Sequence, residues 1–222
     1  MPPSLTCWHC SQPVSSLFCP ACGSLQSPPA GFFRFFGLTE RLSLDVAGLQ
    51  KRFYELSRQL HPDRYTRKSE RERQFSLEAT AILNDGYRTL RDPVKRAEYV
   101  LKQNGLDIGE QRSKNVPPEL LEEVFELNMA LEELREGDSS VRPQLEKAGE
   151  RFRAMLAGVD RELERQFQEY DQAADGGAEI LAKIRATLNR RRYIQNLVGD
   201  VEKELCGAGF SLRGASAPHE AA

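Results

Sequence analysis

The sequence predicts an all-α protein: a helical hairpin, then a C-terminal three-helix bundle, with a small four-cysteine knuckle at the N-terminus. Three observations predict it. From about residue 44 to 205 the apolar residues recur at helical spacing, with almost no strand pattern. Gly, Pro and Asp punctuate that tract into hairpins. Residues 1–30 lack the helical period and hold four of the five cysteines.

Each element follows from local signals. Residues 31–42, GFFRFFGLTERL, form a short apolar lead-in. The first long helix is expected over about 44–60, with Val46, Leu49, Phe53, Leu56 and Leu60 on its inner face. Pro62 disfavours helical geometry at His61, so the helix stops there. The second long helix is expected over about 69–90, with Ser69 as cap and Glu72 at the capping-box position. Its inner face reads Phe75, Ala79, Ile82, Leu83, Gly86, Tyr87 and Leu90. Asp92-Pro93 restarts a helix, lined by Ala97, Val100 and Leu101, and Gly105 ends it.

Residues 106–116 read as a linker. Pro117-Pro118 opens a helix to about 136, and Gly137-Asp138 turns the chain. Further helices are expected over about 141–170 and 178–205, separated by Asp175-Gly176-Gly177. Three antiparallel helices with short turns make a three-helix bundle. The domain plan is thus a knuckle over 1–30, a hairpin unit over 31–105, the linker, a bundle over 117–206 and a disordered tail over 207–222.

Composition narrows the class. A length of 222 residues fits one or two domains. A net charge of −2 gives no electrostatic reason to expect nucleic acid or membrane binding. No apolar run approaches a membrane span, and no signal peptide or presequence stands at the N-terminus. The expectation is a soluble cytoplasmic protein.

Cys7-x-x-Cys10 and Cys19-x-x-Cys22 are separated by eight residues. Two such turns point four thiolates at one ion, the pattern of a closed structural zinc site. One zinc is therefore the expected cofactor. A redox dithiol pair or an iron–sulfur cluster is the competing use of the same cysteines. Cys206 stands alone. His9, His61 and His219 lie far apart, and nothing around them makes a catalytic constellation, so no enzyme is expected.

Two features remain. His61-Pro62-Asp63 sits between two helices and is followed by a polar loop. Alone, it is an ordinary helix stop. In the first bundle helix, Leu120, Val124, Leu127, Leu131 and Leu134 suffice as a core stripe. Leu121, Phe125 and Met129 make a second stripe, displaced by about 100–180° on the wheel. Glu122, Glu126 and Glu133 border it. A wet apolar strip with an acidic rim reads as a protein-binding face; packing on another part of the chain or on a second copy is the alternative.

The tract QKRFYELSRQLHPDRYTRKSERERQFSLEATAILNDGYRTLRDPVKRAEYVLKQNG resembles a J-domain, the module that stimulates Hsp70-type chaperones. With the following bundle and the lead-in FFRFFGL, residues 32–205 are similar to the HscB family of co-chaperones in iron–sulfur cluster biogenesis. The cysteine knuckle is typical of animal members and absent from many bacterial ones. Without a presequence, the chain is expected to be a bacterial member with an unusual domain set.

The resemblance implies two partners. An HscA-like Hsp70 would meet His61, Pro62 and Asp63, with Lys51, Arg52 and Arg58 on the adjoining helix face as a docking surface. An IscU-like scaffold protein would meet Leu121, Phe125, Glu126, Met129 and Glu133, with Tyr193 of the last helix on the same face. Glu122 stands where the family commonly has an apolar residue, and Met129 where it has an acid. A general J-protein that presents unfolded clients, a redox or metal-delivery thiol protein and a zinc-dependent nucleic-acid binder are the alternative functions. Oligomeric state is expected to be monomer or weak dimer.

Overall fold

The computed structural model describes residues 5–106, 120–173 and 177–207. The chain forms two compact units, Met1–Gln103 and Asn104–Ala222. The expected linker beyond Leu106, the Pro117-Pro118 helix start, the Asp175-Gly176 turn and the tail from Ala208 lie outside the described residues, and Gly207, expected in the tail, ends the last helix.

In the first unit, two short antiparallel strands, β1 (Leu5–Thr6) and β2 (Pro13–Val14), flank the first cysteine pair. Four helices follow: α1 (Phe32–Phe36), α2 (Val46–Leu60), α3 (Glu70–Leu90) and α4 (Pro93–Gln103). α2 and α3 make the hairpin. The side chain of Asp45 caps α2 by accepting from the Ala47 amide. The helix thus starts two residues later than expected, and Val46 falls in its first turn at 42% exposed, off the inner face. Leu49, Leu56 and Leu60 are buried as the period demands. Phe53 is half-buried and stacks on Tyr87, with ring centroids 4.3 Å apart.

Ser69 caps α3 by accepting from the Glu72 amide, and its hydroxyl donates to the Glu72 carboxylate at 3.1 Å. The buried face of α3 is Glu72, Ser76, Ala79, Leu83, Gly86 and Leu90. That differs from the expected face at Phe75, Ile82 and Tyr87, which are only half-buried. The residues alternate at four and three, so the stripe was regular, but two of its members are polar. Gly86 belongs to it because α1 crosses there. A Cβ would stand 2.9 Å from Phe36 and 3.1 Å from Phe32. Asp92 Oδ1 caps α4 by accepting from the amides of Val94 and Lys95.

The second unit is built on α5 (Leu121–Arg135), α6 (Arg142–Gln172) and α7 (Ala178–Gly207). Asp138 caps the short 3-10 turn Ser139–Val141 that leads into α6. Contacts between α6 and α7 pair Arg153 with Glu202, Asp160 with Arg191, and Gln166 with Thr187. Rising numbers on one helix meet falling numbers on the other, so the two are antiparallel. α5 has 15 residues against 31 and 30 in the hairpin. At about 1.5 Å per residue it covers only half the hairpin's length. Accordingly its core residues cluster with Leu145, Phe152 and Val159 of α6 and with Ile194, Leu197, Val198 and Val201 of α7. The expected three-helix bundle is three helices deep there. Further along, the buried residues Leu163, Phe167, Leu181, Ile184 and Leu188 belong, among the described residues, to α6 and α7.

A polar seam crosses this hairpin. Gln166 Nε2 donates to Thr187 Oγ1 at 3.1 Å, and Arg190 pairs with Glu162. Gln166 and Thr187 are buried. A one-turn slip would strand these groups in apolar surroundings, so the seam fixes register more than it adds stability.

Candidate functional site

The cysteine pairs lie on two similar turns. The Ser11 amide donates to the Cys7 carbonyl at 2.9 Å, and the Gly23 amide to the Cys19 carbonyl at 2.8 Å. Cys7 N–H returns to Gln12 O and Cys19 N–H to Ser24 O. The residue after each pair has positive φ: Ser11 at 61° and Gly23 at 72°. Glycine takes that conformation without a Cβ penalty. Both turns therefore present their sulfurs to one point.

The four Sγ atoms lie within 4.8 Å of one another. Cys7 and Cys22 are 3.7 Å apart, Cys10 and Cys19 3.6 Å. A disulfide needs about 2.0 Å, whereas a tetrahedron with metal–sulfur bonds of about 2.3 Å has edges of about 3.8 Å. The residues therefore fit a four-coordinate metal ion. His9 N–H and Gln26 Nε2 each point at Cys7 Sγ, 3.4 Å away.

The thiols differ in acidity. The Ser24 hydroxyl and amide hold Cys22 down to about 5. At Cys7 burial opposes ionisation, but the amides of Cys10 and His9 outweigh it and lower the thiol. At Cys10 the Gln12 amide favours the thiolate; desolvation and the three other thiols overcome it and push the group up to about 12. Four crowded sulfurs do not all ionise without a cation to offset the charge. A bound metal would supply that charge and leave no open coordination position.

The His-Pro-Asp turn is held from behind. His61 is extended, with φ −55° and ψ 127°, as the following proline requires. Pro62 has no N–H, and the Arg64 amide turns to the His61 carbonyl at 3.0 Å. The Leu60 carbonyl is left without its helical donor. Ser76 Oγ donates to it at 2.6 Å and Thr80 Oγ1 at 3.2 Å. The Tyr65 hydroxyl donates to the Gln59 carbonyl at 3.1 Å. Sequence reasoning missed Ser76, Thr80 and Tyr65. The available signal was the serine in the four-three stripe of α3. Ser76→Ala is expected to cost about 1–2 kcal/mol, measured by urea unfolding. An unchanged midpoint would show that Thr80 alone satisfies the carbonyl.

His61 and Asp63 point outward. His61 Nδ1 accepts from the Asp63 amide at 3.3 Å, so the neutral ring carries its proton on the outward Nε2. Asp63 Oδ2 is 3.5 Å from the same Nδ1. Lys51, Arg52 and Arg58 are all exposed on α2. Arg52 is paired with Glu55 at 3.4 Å; Lys51 and Arg58 make no ion pair among the described residues.

Leu120 at the start of α5 and Val124, Leu127, Leu131 and Leu134 within it are buried, as the first stripe requires. Leu121, Phe125 and Met129 are 55%, 65% and 49% exposed. Glu126 is exposed and lines a groove of about 220 Å³ between α5 and α6, together with Lys147 and Arg151. Glu133 is exposed. Tyr193 differs: it is half-buried against the bundle core, and desolvation raises its phenol pKa.

The family model described as the HSCB C-terminal oligomerisation domain matches residues 116–202. A Vibrio vulnificus protein named co-chaperone protein HscB homolog is 37% identical over 147 residues, covering 64% of this chain and 84% of that protein. This chain belongs to the HscB family of co-chaperones. A human HscB named iron-sulfur cluster co-chaperone is 34% identical over 134 residues, covering 57% of each chain. The crystal structure of human co-chaperone protein HscB has the same fold, with a TM-score of 0.70 at 24% identity, covering 91% of this chain and 100% of that one. HscB proteins are co-chaperones, not enzymes. Among the described residues, no helix of this chain is long and apolar enough to cross a membrane.

Proposed function

We propose that this chain binds an iron–sulfur scaffold protein through α5, brings it to a specialised Hsp70, and stimulates that chaperone's ATPase through the His61-Pro62-Asp63 turn. The observation that carries the reading is the second face of α5. A helix whose core stripe is complete nevertheless exposes Leu121, Phe125 and Met129 beside glutamates. Exposed apolar side chains of that size, contiguous on one helix, match a protein-binding surface. The human relative, an iron–sulfur cluster co-chaperone, supports the iron–sulfur setting.

The mechanism is regulatory. Two binding faces on one chain turn scaffold delivery into an intramolecular encounter at high effective concentration. Pro62 stiffens the turn, and Asp63 offers a carboxylate to an arginine of the chaperone. The cations of α2 hasten encounter. Hydrolysis in the chaperone then favours scaffold capture. The decisive measurement is steady-state ATPase of the Hsp70 with scaffold and this chain together. Stimulation beyond either alone is expected; a rate indifferent to this chain would sink the proposal.

For the knuckle we propose one structural zinc, held by Cys7, Cys10, Cys19 and Cys22. A thiol reagent is expected to label exposed Cys206 at once and the other four only after chelation. Immediate labelling of all five thiols would refute a resident metal.

A further inference from the structure

The knuckle is docked on the helical hairpin of its own unit. Trp8, between the first two cysteines, anchors it. The Trp8 indole N–H donates to the Leu25 carbonyl at 2.8 Å, which ties the ring to the second turn. The Trp8 and Phe75 rings meet in a T-shaped contact, with centroids 6.5 Å apart. The Arg71 guanidinium lies 4.9 Å over the Trp8 ring and 5.6 Å from the Phe75 ring. Phe75 lies off the four-three stripe that α3 buries, on the side that meets Trp8.

Docking creates a cleft of about 340 Å³. Phe18 and Gly23 of the knuckle form one wall. Gln59, Arg64, Tyr65, Lys68 and Glu72 form the other. Nothing lies within 4 Å of where a Cβ of Gly23 would be, so that wall is open. Arg64 follows Asp63 directly in the chain. Arg64 and Lys68 are exposed and make no ion pair among the described residues. Glu72 is buried, with Ser69 donating to its carboxylate. Arg64 and Lys68 outnumber this one carboxylate, so the lining is net positive, beside the aromatic side chains of Phe18 and Tyr65.

From this we infer that the metal knuckle is part of the chaperone-facing surface, and that the cleft receives an acidic segment of the Hsp70 engaged by the His-Pro-Asp turn. The inference rests on the proposed function. Two features support an acidic occupant. The two unpaired cations offer complementary charge, and the cleft continues the turn through Arg64 and Tyr65. The knuckle would thus add specificity for one Hsp70, since rim charges select partners and speed encounter.

The test uses the full zinc-loaded chain and measures association with the ATP-bound Hsp70. Lys68→Glu, at an exposed position of the cleft, is expected to slow association about fivefold at low salt, with the difference fading near 0.5 M salt, where screening reaches about 4 Å. Phe18→Ala is expected to shorten the lifetime of the complex without loss of zinc. His61→Gln is run beside them. If His61→Gln abolishes stimulation while Lys68→Glu and Phe18→Ala bind like the parent, the cleft proposal is overturned and the functional reading stands. If His61→Gln stimulates normally, the functional reading fails and takes the cleft with it. Self-association that Lys68→Glu abolishes, with Hsp70 binding unchanged, would assign the cleft to a second copy of this chain and overturn the proposal.

Discussion

His61→Gln is expected to lose at least about tenfold of the Hsp70 stimulation while leaving the fold untouched. The asymmetry follows from where the residue sits. Its side chain is more than half exposed and accepts one local hydrogen bond, from the Asp63 amide. Exposed positions of this kind seldom change stability by more than about 0.5 kcal/mol. The turn's shape is set elsewhere, by Pro62 and by the Ser76 and Thr80 hydroxyls behind the Leu60 carbonyl. Glutamine keeps polarity but removes the flat ring and its outward Nε2–H. Any loss of stimulation is then a loss of partner contact. Thermal unfolding and scaffold affinity should match the parent. A variant that stimulates as well as the parent would show that the turn does not carry the chaperone interaction.

Leu121→Ala combined with Phe125→Ala is expected to weaken scaffold binding on the order of 100-fold, which is about 3 kcal/mol. Stability should change by less than about 0.5 kcal/mol, since both side chains lie outside the core. The comparison that gives this force is Leu127→Ala on the same helix. Leu127 is 2% exposed within the bundle core, so its truncation should cost about 2–5 kcal/mol of stability. One helix would then show opposite profiles on its two faces. Isothermal titration against the scaffold and urea unfolding of each variant separate them. If the double variant loses stability and keeps its scaffold affinity, the strip is packing surface and the scaffold site lies elsewhere.

Much of this was legible in the chain. The spacing of Cys7, Cys10, Cys19 and Cys22 carries the geometry of their cluster, because each Cys-x-x-Cys turn is closed by its own backbone hydrogen bonds. Ser69, Asp92 and Asp138 read as helix starts or turns, since capping is satisfied within a few residues. The exposed stripe at Leu121, Phe125 and Met129 followed from the helical period of α5. Other residues were misplaced for one reason. Val46 looked periodic, yet the cap at Asp45 puts it in an exposed first turn. Phe75 looked like core of α3, yet it faces Trp8, which lies 67 positions earlier. Ser76 was passed over because a serine in an apolar stripe makes sense only once the orphaned carbonyl it serves is visible.

The sequence by itself therefore determined the helices, the thiolate cluster, the His-Pro-Asp turn and the two faces of α5. Each depends on periods and spacings within one or two turns of chain. Only the tertiary structure decided what holds that turn from behind, that α5 reaches along just half of the α6–α7 hairpin, and that the knuckle leans on α3 to form a cationic cleft. Those outcomes depend on which groups from distant segments meet. A buried carbonyl needs a donor and an aromatic ring needs a face, but the sequence does not say which distant residue provides it.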